Sequence, residues 1–294
     1  MIWLFIFETR VQSYENQKII KEIKEQGLTE KFLIIDPNYL TVLITDKIKF
    51  FYYGQEVAIP TKLVVKVGCS LNEHIQDLVH TLQTLEVKVL NNLEQLQITT
   101  NKFLLTTKLN EYQIPYIKSL KMTGYNEYNL KFITKEFTYP LIVKSKVGSL
   151  GKGIYKVQTQ AELQNILEQI NLLDQNYEYL IQEYILEGNV DYRVVVHQGE
   201  IQYILKRIAK KGQFKTNYNL GNDVELVKTT PGIKKIVQQI YQVIPLNIMG
   251  LDLIKISEST YKVCEINSNP GFKGRDSLEK ESFAKDLLKF IIQY

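Results

Sequence analysis

Three oxygen-bearing side chains in the last part of the chain have the spacing of a metal site. Asp252 and Glu265 lie in two apolar runs that are separated by turn residues. If the turn centres between Glu258 and Ser259, the runs form a hairpin in which the two carboxylates face each other, with Cβ atoms roughly 4.5–5.5 Å apart. Asn267 follows on the face of Glu265, because side chains alternate along a strand. Two carboxylates and an amide oxygen suit Mg²⁺ that carries nucleotide phosphates, so the pattern predicts a metal site.

Two facing carboxylates are also predicted to affect the stability of the metal-free protein. The like charges of Asp252 and Glu265 repel unless a cation neutralises them. Replacing Glu265 by Gln is therefore expected to abolish metal-dependent activity while leaving the metal-free protein as stable as before, or slightly more stable. The alternative is a solvated hairpin whose two carboxylates meet by accident.

Two lysines and a glycine-rich segment are candidates for binding phosphate. Lys144 ends an apolar strand, and Lys102 lies in the first turn of a helix that Thr100 or Asn101 would cap, where a cation opposes the helix dipole. Both positions suit phosphate ligands, although solvated surface lysines occur at such positions too. The glycines of 148–153 supply backbone N–H groups that can close over phosphates, but the segment lacks the spacing of a Walker A motif and is also compatible with an ordinary hairpin turn.

Further polar residues in the last third are candidates for binding anionic groups. Arg193 lies in an alternating strand, and Arg207 and Asn217 flank the polar run 210–215. These residues are predicted to bind phosphate groups and a substrate carboxylate that becomes activated by phosphorylation. The alternative is that they are isolated surface residues without a ligand. The sequence has no HExxH motif, no GxSxG motif and no Cys/His arrangement with local support, which disfavours hydrolase chemistry.

The elements that hold these residues begin with an α/β unit. Apolar runs typical of buried strands alternate with helical patterns up to about residue 95, which predicts a parallel, Rossmann-like sheet. No GxGxxG follows the first strand, so dinucleotide binding is weakly supported. The predicted strands are 1–7, 32–35, 63–67 and 87–90, and the predicted helices contain 19–23 and 75–85.

The rest of the chain mixes strands with helices. A helix is predicted after the capping box formed by Thr159 and Glu162, and another is opened by Thr230. A closing helix runs through 283–288. The predicted strands are 141–144, 179–185, 193–197, 201–205 and the two arms of the hairpin.

Composition is that of an ordinary folded enzyme. The 294 residues are 45% hydrophobic and 23% charged, enough for two or three subdomains around a sizeable core. A net charge of +4 without a long basic block does not demand nucleic-acid binding. The apolar opening reaches Glu8 and Arg10 too soon for a signal peptide or a membrane span. The two cysteines, Cys69 and Cys264, cannot form a disulfide framework, so a cytoplasmic location without membrane association is expected.

Taken together, these segments resemble the ATP-grasp superfamily, and within it the RimK-type glutamate ligases, over roughly residues 60–294. The resemblance implies an α/β protein with α+β lobes, namely an ATP-grasp fold preceded by a Rossmann-like pre-ATP-grasp domain. It implies three domains, at 1–98, 99–185 and 186–294. The segments that carry it are 100–103 with 114–115, 140–144, 148–153, 180–185, 206–217 and 252–270.

The resemblance also implies roles for individual residues. Lys144 and Arg207 would stabilise charge during catalysis, and the cofactors would be ATP and Mg²⁺, with Mn²⁺ as an alternative metal. The implied metal ligands are Asp252, Glu265 and Asn267, and the implied substrate contacts are Lys66, Arg193 and Arg207. The implied nucleotide contacts are Lys102, Lys144, Gly148, Ser149, Gly151, Gly153, Glu183, Tyr184, Ile185, Asp191, Lys215, Thr216 and Asn217.

The implied activity is ATP-dependent joining of a carboxylate to an amine through an acyl phosphate, adding glutamate or a similar amino acid to a peptide, a protein or a small amine. Lys66 and Ile208 stand where the family usually has arginines, which leaves the substrate open. Alternatives are a kinase-like phosphotransferase with the same fold, a glutathione-synthetase-like or carrier-protein amino-acid ligase, and a nucleotide-binding module without turnover. No general base is apparent.

Overall fold

A computed structural model describes residues 1–68, 71–146, 153–185, 189–218 and 221–294, which form four β-sheets with surrounding helices. Gly148, Ser149 and Gly151 of the predicted phosphate segment, and Cys69, lie outside the described residues. Within the described ranges, no helix has both the length and the apolar character needed to cross a membrane.

The first part of the chain alternates strands and helices. Its elements are β1 (Ile2–Phe5), α1 (Glu8–Val11), α2 (Tyr14–Glu25), a 3₁₀ turn (Thr29–Lys31), β2 (Phe32–Ile35), a second 3₁₀ turn (Pro37–Tyr39), β3 (Leu40–Ile44), β4 (Ile48–Tyr52), β5 (Gln55–Val57), β6 (Lys62–Val65), α3 (Glu73–Thr84), β7 (Lys88–Leu90) and α4 (Leu93–Thr100). Four strands pair in parallel in the order β2-β1-β6-β7, which confirms the predicted Rossmann-like sheet. The antiparallel sheet β3-β4-β5 was not predicted.

The central strand β1 shows why this sheet forms. Its residues are all buried, with Ile2 and Leu4 packed into one hydrophobic cluster and Trp3 and Phe5 into another. A strand that is covered on both faces needs a continuous apolar run rather than an alternating one. The opening run of the sequence is therefore a core strand of a parallel sheet.

The middle of the chain forms a separate antiparallel sheet with the order β10-β9-β11-β8. Its elements are α5 (Lys102–Glu111), β8 (Ser119–Thr123), α6 (Glu127–Glu136), β9 (Leu141–Ser145), β10 (Ile154–Val157), α7 (Gln160–Leu173) and β11 (Glu178–Glu183). Tyr179 and Ile181 of β11 pack into the core beneath α6 and α7. Because side chains alternate along a strand, the residues between these core positions in β9 and β11 lie on the opposite face of the sheet.

The N-terminus of α7 differs in one detail from the predicted capping box. The Thr159 hydroxyl accepts a hydrogen bond from the Glu162 amide at 3.2 Å, which confirms the N-cap. The Glu162 carboxylate, however, accepts from the amide of Gln158 at 2.6 Å, one residue before the cap. Thr159 is therefore the N-cap, but the Glu162 side chain bonds to the amide of Gln158 instead of the Thr159 amide that a capping box would use.

The last part of the chain forms a five-stranded antiparallel sheet with the order β14-β13-β12-β15-β16. Its elements are β12 (Val190–His197), β13 (Glu200–Ile208), β14 (Asp223–Leu226), α8 (Pro231–Val243), β15 (Ile248–Lys255), β16 (Tyr261–Asn267), α9 (Lys273–Asp276) and α10 (Phe283–Gln293). α8 buries one apolar face against this sheet, and Ile236 and Ile240 share a core with Leu251 and Leu253.

α10 returns to the beginning of the chain. Leu288 and Ile291 lie in the same hydrophobic cluster as Ile2 and Leu4 of β1. At the helix C-terminus, the Lys62 ammonium donates to the carbonyl oxygens of Ile291 and Ile292 at 3.2 and 2.7 Å. Helix termini leave carbonyls without intrahelical partners, so this lysine fixes the helix to the beginning of β6, an inner strand of the parallel sheet.

Candidate active site

Asp252 and Glu265 face each other across the β15–β16 pair, as predicted, but the hairpin contains a bulge. Nearer the turn, Leu253 pairs with Val263, so the turn centres half a residue earlier than expected. The register then shifts between Leu253 and Asp252, where Cys264 is the extra residue. A bulge of this kind re-aims the side chains beyond it. The predicted pairing of the two carboxylates is therefore confirmed, with a geometry that simple alternation does not give.

Asp252 is enclosed by two arginines. Arg193 donates to both carboxylate oxygens, with 2.7 Å from Nη2 to Oδ2, and Arg207 Nη2 lies 3.0 Å from Oδ2. Burial alone raises the pKa of Asp252, but the two guanidinium groups outweigh it and hold the pKa below its ordinary value. Arg193 and Arg207 thus counter the repulsion between Asp252 and Glu265. The sequence argument assumed that only a bound metal ion would do so, and the structure corrects that assumption.

The ion pairs continue beyond Arg207. Its Nε and Nη2 donate to the two oxygens of Asp191 at 2.6 and 2.5 Å, and the Thr216 hydroxyl donates to Asp191 Oδ2 at 2.6 Å. Burial lowers the pKa of Arg207, but the Asp252 and Asp191 carboxylates outweigh it and raise the pKa. Arg207 is therefore a permanently charged group held rigidly in the site.

The two predicted lysines occupy different electrostatic surroundings. Lys102 begins α5, whose first amides bond to the Asn101 side chain as predicted, and its ammonium lies 3.7 Å from a Glu265 oxygen. Lys144 on β9 is only 4% exposed, and no hydrogen bond or ion pair joins its ammonium to another described residue. A buried ammonium without a carboxylate carries a desolvation penalty that an anionic ligand would relieve.

These groups surround one large cavity of about 670 Å³. Among the described residues lining it, eight are cationic and five are carboxylates, so an excess of three positive charges faces the cavity. The cations are Arg10, Lys66, Lys102, Lys144, Arg193, Arg207, Lys215 and Lys273, and the carboxylates are Glu15, Glu183, Asp191, Asp252 and Glu265. A concave surface with an excess of one sign of charge concentrates ligands of the opposite sign.

Nearly all predicted site residues that the structure describes line this cavity. The exception is Gly153, which precedes β10 with a positive φ of 64° and is not part of the lining. The residues that the cavity brings together are Lys66, Lys102, Lys144, Glu183, Tyr184, Ile185, Asp191, Arg193, Arg207, Lys215, Thr216, Asn217, Asp252, Glu265 and Asn267.

The polar segment after β13 is held in place by a residue that sequence reasoning missed. Asn222 is 2% exposed, and its amide donates to the carbonyls of Lys215 and Asn217 at 2.6 and 3.1 Å. Its oxygen accepts from the Lys210 amide at 3.1 Å. In the sequence Asn222 follows Gly221 and looks like a turn residue, so only the spatial arrangement reveals its role.

The strand β11 ends at the cavity wall. The Glu183 carboxylate accepts from the Lys118 amide at 3.1 Å and pairs with Lys262. The Tyr184 hydroxyl donates to Asn189 at 3.0 Å, and Ile185 completes this part of the lining. Glu183 is therefore committed to protein partners through its side chain.

Two cations line the cavity beside the parallel sheet, the predicted substrate contact Lys66 and Arg10, which sequence reasoning missed. Lys66 is 5% exposed, and its ammonium donates to the Asn269 side chain at 2.6 Å. Burial lowers the pKa of Lys66 to about 8, against a smaller opposing effect of Glu15. Arg10 also lines this region and donates to the Val67 carbonyl at 3.0 Å.

The donor set at the hairpin fits a hard divalent cation. Asp252, Glu265 and Asn267 supply carboxylate and amide oxygens, which are the ligands that Mg²⁺ prefers. The Asn267 Nδ2 atom is buried and has no hydrogen-bond partner among the described residues, so no protein group competes for the orientation of this amide. No group of three or more His, Cys, Asp or Glu residues suited to a metal occurs in the described part of the chain, so a softer, cysteine- or histidine-rich site is not formed there.

Comparisons with known proteins agree with this geometry. A family model, the RimK-like ATP-grasp domain, matches residues 99–291. A probable alpha-L-glutamate ligase of Methanococcoides burtonii is 26% identical over 283 residues, which cover 96% of this chain and 91% of that protein. The solved RimK domain ATP-grasp protein of Sphaerobacter thermophilus gives a TM-score of 0.73 at 15% identity, over 98% of each chain. The ATP-grasp ligase PsnB, solved with a precursor variant, Mg and ADP, gives 0.72 at 15% identity, over 99% of this chain and 97% of that one.

The fold is the ATP-grasp fold, with a parallel N-terminal sheet and two antiparallel lobes around the cavity. Since the family model matches more than half of the chain, the protein belongs to the RimK-like ATP-grasp family. It is an ATP-grasp ligase, an enzyme that uses ATP to form amide bonds, as the sequence predicts.

Proposed function

We propose that this ligase joins glutamate, or a similar amino acid, to an amine or carboxylate carried by a peptide, a protein or a small molecule. The observation that carries the proposal is the cation-rich cavity in which Lys102, Lys144 and Arg207 surround the oxygen ligands of the hairpin. Glutamate is supported by the name of the Methanococcoides burtonii relative, and a peptide partner by the precursor bound to PsnB.

The proposed reaction has two steps. A substrate carboxylate oxygen attacks the γ-phosphorus of ATP, the bond to the β-phosphate oxygen breaks, and ADP leaves an acyl phosphate behind. An amine then attacks the acyl carbon, phosphate departs with the bonding electron pair, and the amine nitrogen releases a proton. Such transfers depend on positioning and on neutralising charge rather than on covalent chemistry of the protein.

The chain's own residues divide this work. Lys144 and Arg207 are proposed to stabilise the charge on the transferring phosphoryl group, and Lys102 to bind the nucleotide phosphates. Asp252, Glu265 and Asn267 would hold Mg²⁺, or Mn²⁺ in its place, which supplies charge neutralisation at the phosphate oxygens. Both guanidinium groups at Asp252 are fixed by ion pairs, so little reorganisation is needed when charge develops.

Other proposed contacts concern the nucleotide and the substrate. Lys66 and Arg193 are proposed to bind substrate carboxylates, since both are cations in the cavity wall. The nucleotide contacts are proposed to be Glu183, Tyr184, Ile185, Asp191, Lys215, Thr216 and Asn217, together with Gly148, Ser149, Gly151 and Gly153.

Product analysis tests the proposal. Purified enzyme is incubated with Mg-ATP, glutamate and a panel of peptides ending in free carboxylates, and ADP, phosphate and product masses are followed. We expect ADP and phosphate in equal amounts and a product heavier by one glutamate residue, with Asp252→Asn as an inactive control. A stable phosphorylated product without phosphate release would instead identify a kinase-like phosphotransferase, and nucleotide binding without ADP release would identify a non-catalytic module.

A further inference from the structure

One carboxylate in the cavity wall has no cationic partner. Glu15, in the first turn of α2, makes no ion pair and no side-chain hydrogen bond with any residue in the described ranges. The other carboxylates that line the described part of the cavity are each paired with a cation, namely Glu183, Asp191, Asp252 and Glu265. A carboxylate in an enclosed wall is stabilised by a cation that neutralises it. The charge of Glu15 is therefore left for a ligand.

The position of the Glu15 carboxylate points to the cavity. A negative charge in the first turn of a helix is favourable in itself, so the helix dipole explains the residue type. It does not explain where the carboxylate lies. A Cβ atom on Gly271 would lie 2.9 Å from Glu15 Oε1, so the carboxylate lies against the backbone of the segment that follows the hairpin. Both residues line the cavity.

A cation lies close to Glu15 on the same segment. The Lys66 ammonium donates to the side chain of Asn269, two residues before Gly271, and Glu15 partly offsets the effect of burial on the pKa of Lys66. Two residues span at most about 7 Å, so the ammonium and the carboxylate are neighbours. No ion pair joins them, which leaves a place between two opposite charges. Lys66 directly follows β6, and the carboxyl ends of parallel strands are common ligand sites.

The charges of this pair suit a zwitterion and not the nucleotide. A carboxylate without a partner repels phosphate groups, and the proposed phosphate ligands Lys102 and Lys144 lie on other elements, α5 and β9. A free amino acid carries an ammonium group for Glu15 and a carboxylate for Lys66. Hydrogen bonds between charged groups are shorter and stronger than those between neutral ones. The pair therefore fits a free amino acid better than the end of a peptide, whose α-amine is acylated.

We propose that Glu15 binds the ammonium group of the glutamate substrate while Lys66 binds one of its carboxylates. Glu15 is then the residue that makes the enzyme select a free amino acid over a dicarboxylate without an amino group. The inference rests on the proposed function, and it names the side chain that recognises the amino group of that substrate.

The test compares L-glutamate with glutarate, which lacks only the amino group. Dissociation constants are measured by calorimetry with Mg-ADP present, so that no turnover occurs. Wild-type enzyme should prefer L-glutamate by roughly tenfold or more. Glu15→Gln should lose most of that preference and bind glutarate as well as before or better, because a repelling charge is gone. Lys66→Met should weaken both ligands, since both carry carboxylates.

Glu25→Gln is the matched control, because Glu25 is exposed at the other end of α2 and the change removes the same charge. It should keep the wild-type preference, and thermal unfolding verifies that each variant is folded. Equal affinities of wild-type enzyme for the two ligands, or an unchanged preference in Glu15→Gln, would overturn this inference. So would a lack of L-glutamate binding by enzyme that still releases ADP and phosphate with another amino acid. The ligase proposal would stand in these cases, whereas failure to release ADP with any pair of substrates would overturn it.

Discussion

Glu265 lies 3.7 Å from Lys102, so the lysine that begins α5 contacts the hairpin of the proposed metal site. The Lys102 side chain is only 8% exposed and that of Glu265 is 26% exposed. Removing one partner of a shielded pair leaves the other charge less well compensated. The metal-free stability of the protein therefore depends on Glu265, which reverses the expectation drawn from carboxylate repulsion alone.

Replacing Glu265 by Gln should accordingly lower the free energy of unfolding of metal-free enzyme by about 1–2 kcal/mol. It should also abolish ligation, because one ligand charge is lost. Urea denaturation in the presence of a chelator and a turnover assay with Mg-ATP measure the two effects on one preparation. Lys102→Met in the same background should add little further loss of stability if the two side chains act as a pair. Additive losses would contradict their coupling.

Lys144→Met should weaken nucleotide binding by roughly tenfold or more while the protein stays folded. The reason is that Lys144 is a buried cation that no described residue pairs with, so its charge serves a ligand rather than the fold. Thermal unfolding without nucleotide should show an unchanged or higher midpoint. Lys131→Met, on the exposed side of α6, is the matched control and should alter neither quantity. A lower unfolding midpoint with normal nucleotide affinity would assign Lys144 a structural role.

Lys66 should give substrate binding a pH dependence of its own. Its pKa is lowered to about 8 by burial, so its charge is present at pH 7 and is lost as the pH rises through about 8. If the charge binds a substrate carboxylate, affinity for that substrate should fall between about pH 7 and 9. In Lys66→Arg the charge persists, so the affinity should stay level over this range. Parallel pH profiles of the two proteins would rule out this role.

The free energy of unfolding should also depend on the titration of Lys66, but it should rise with pH where substrate affinity falls. Between about pH 8 and the ordinary lysine pKa, the unfolded chain binds the proton that folded Lys66 has lost, so stability rises with pH. Lys66→Met should remove this rise. Chemical denaturation at several pH values in this window measures it.

His197 should make the protein sensitive to acid. Burial lowers its pKa to about 4, its Nε2 has no hydrogen-bond partner in the described part of the chain, and its ring stacks on Phe290 at 4.5 Å. The unfolded chain takes up a proton near pH 6.5, so stability should fall as the pH drops from there towards 4, by up to about 3 kcal/mol. His197→Phe keeps the ring and should flatten the curve. An unchanged slope in that variant would place the acid sensitivity elsewhere.

The hairpin illustrates what one sequence can and cannot predict. The pairing of Asp252 with Glu265 followed from the symmetry of the turn, yet the turn centre was wrong by half a residue and the bulge at Cys264 restored the pairing. A signal was present, because Val263 and Ile266 are both buried in one core although they are three residues apart. Strict alternation cannot place such residues on one face, so the spacing itself indicates a bulge.

Other features depended on contacts that no single sequence displays. The arginines around Asp252 come from β12 and β13, and the Gln182 amide donates to Ser119, more than sixty residues earlier in the chain. The missed sheet β3-β4-β5 did leave a local signal in Gly54, a residue type that readily adopts the positive φ of 77° found at the tight hairpin turn, where Tyr53 also has a φ of 49°. The division of the chain at 98/99 and 185/186 stays a prediction.

The packing of α10 against the parallel sheet has a consequence for how the protein folds during synthesis. The face of β1 formed by Ile2 and Leu4 is synthesised well before Leu288 and Ile291 of α10, which leave the ribosome only after the two antiparallel sheets. Contacts so distant along the chain form late and slow folding. Until then only α2, through Ile19 and Ile23, packs on this face, so part of its apolar surface stays open during most of translation and is where a chaperone is expected to bind.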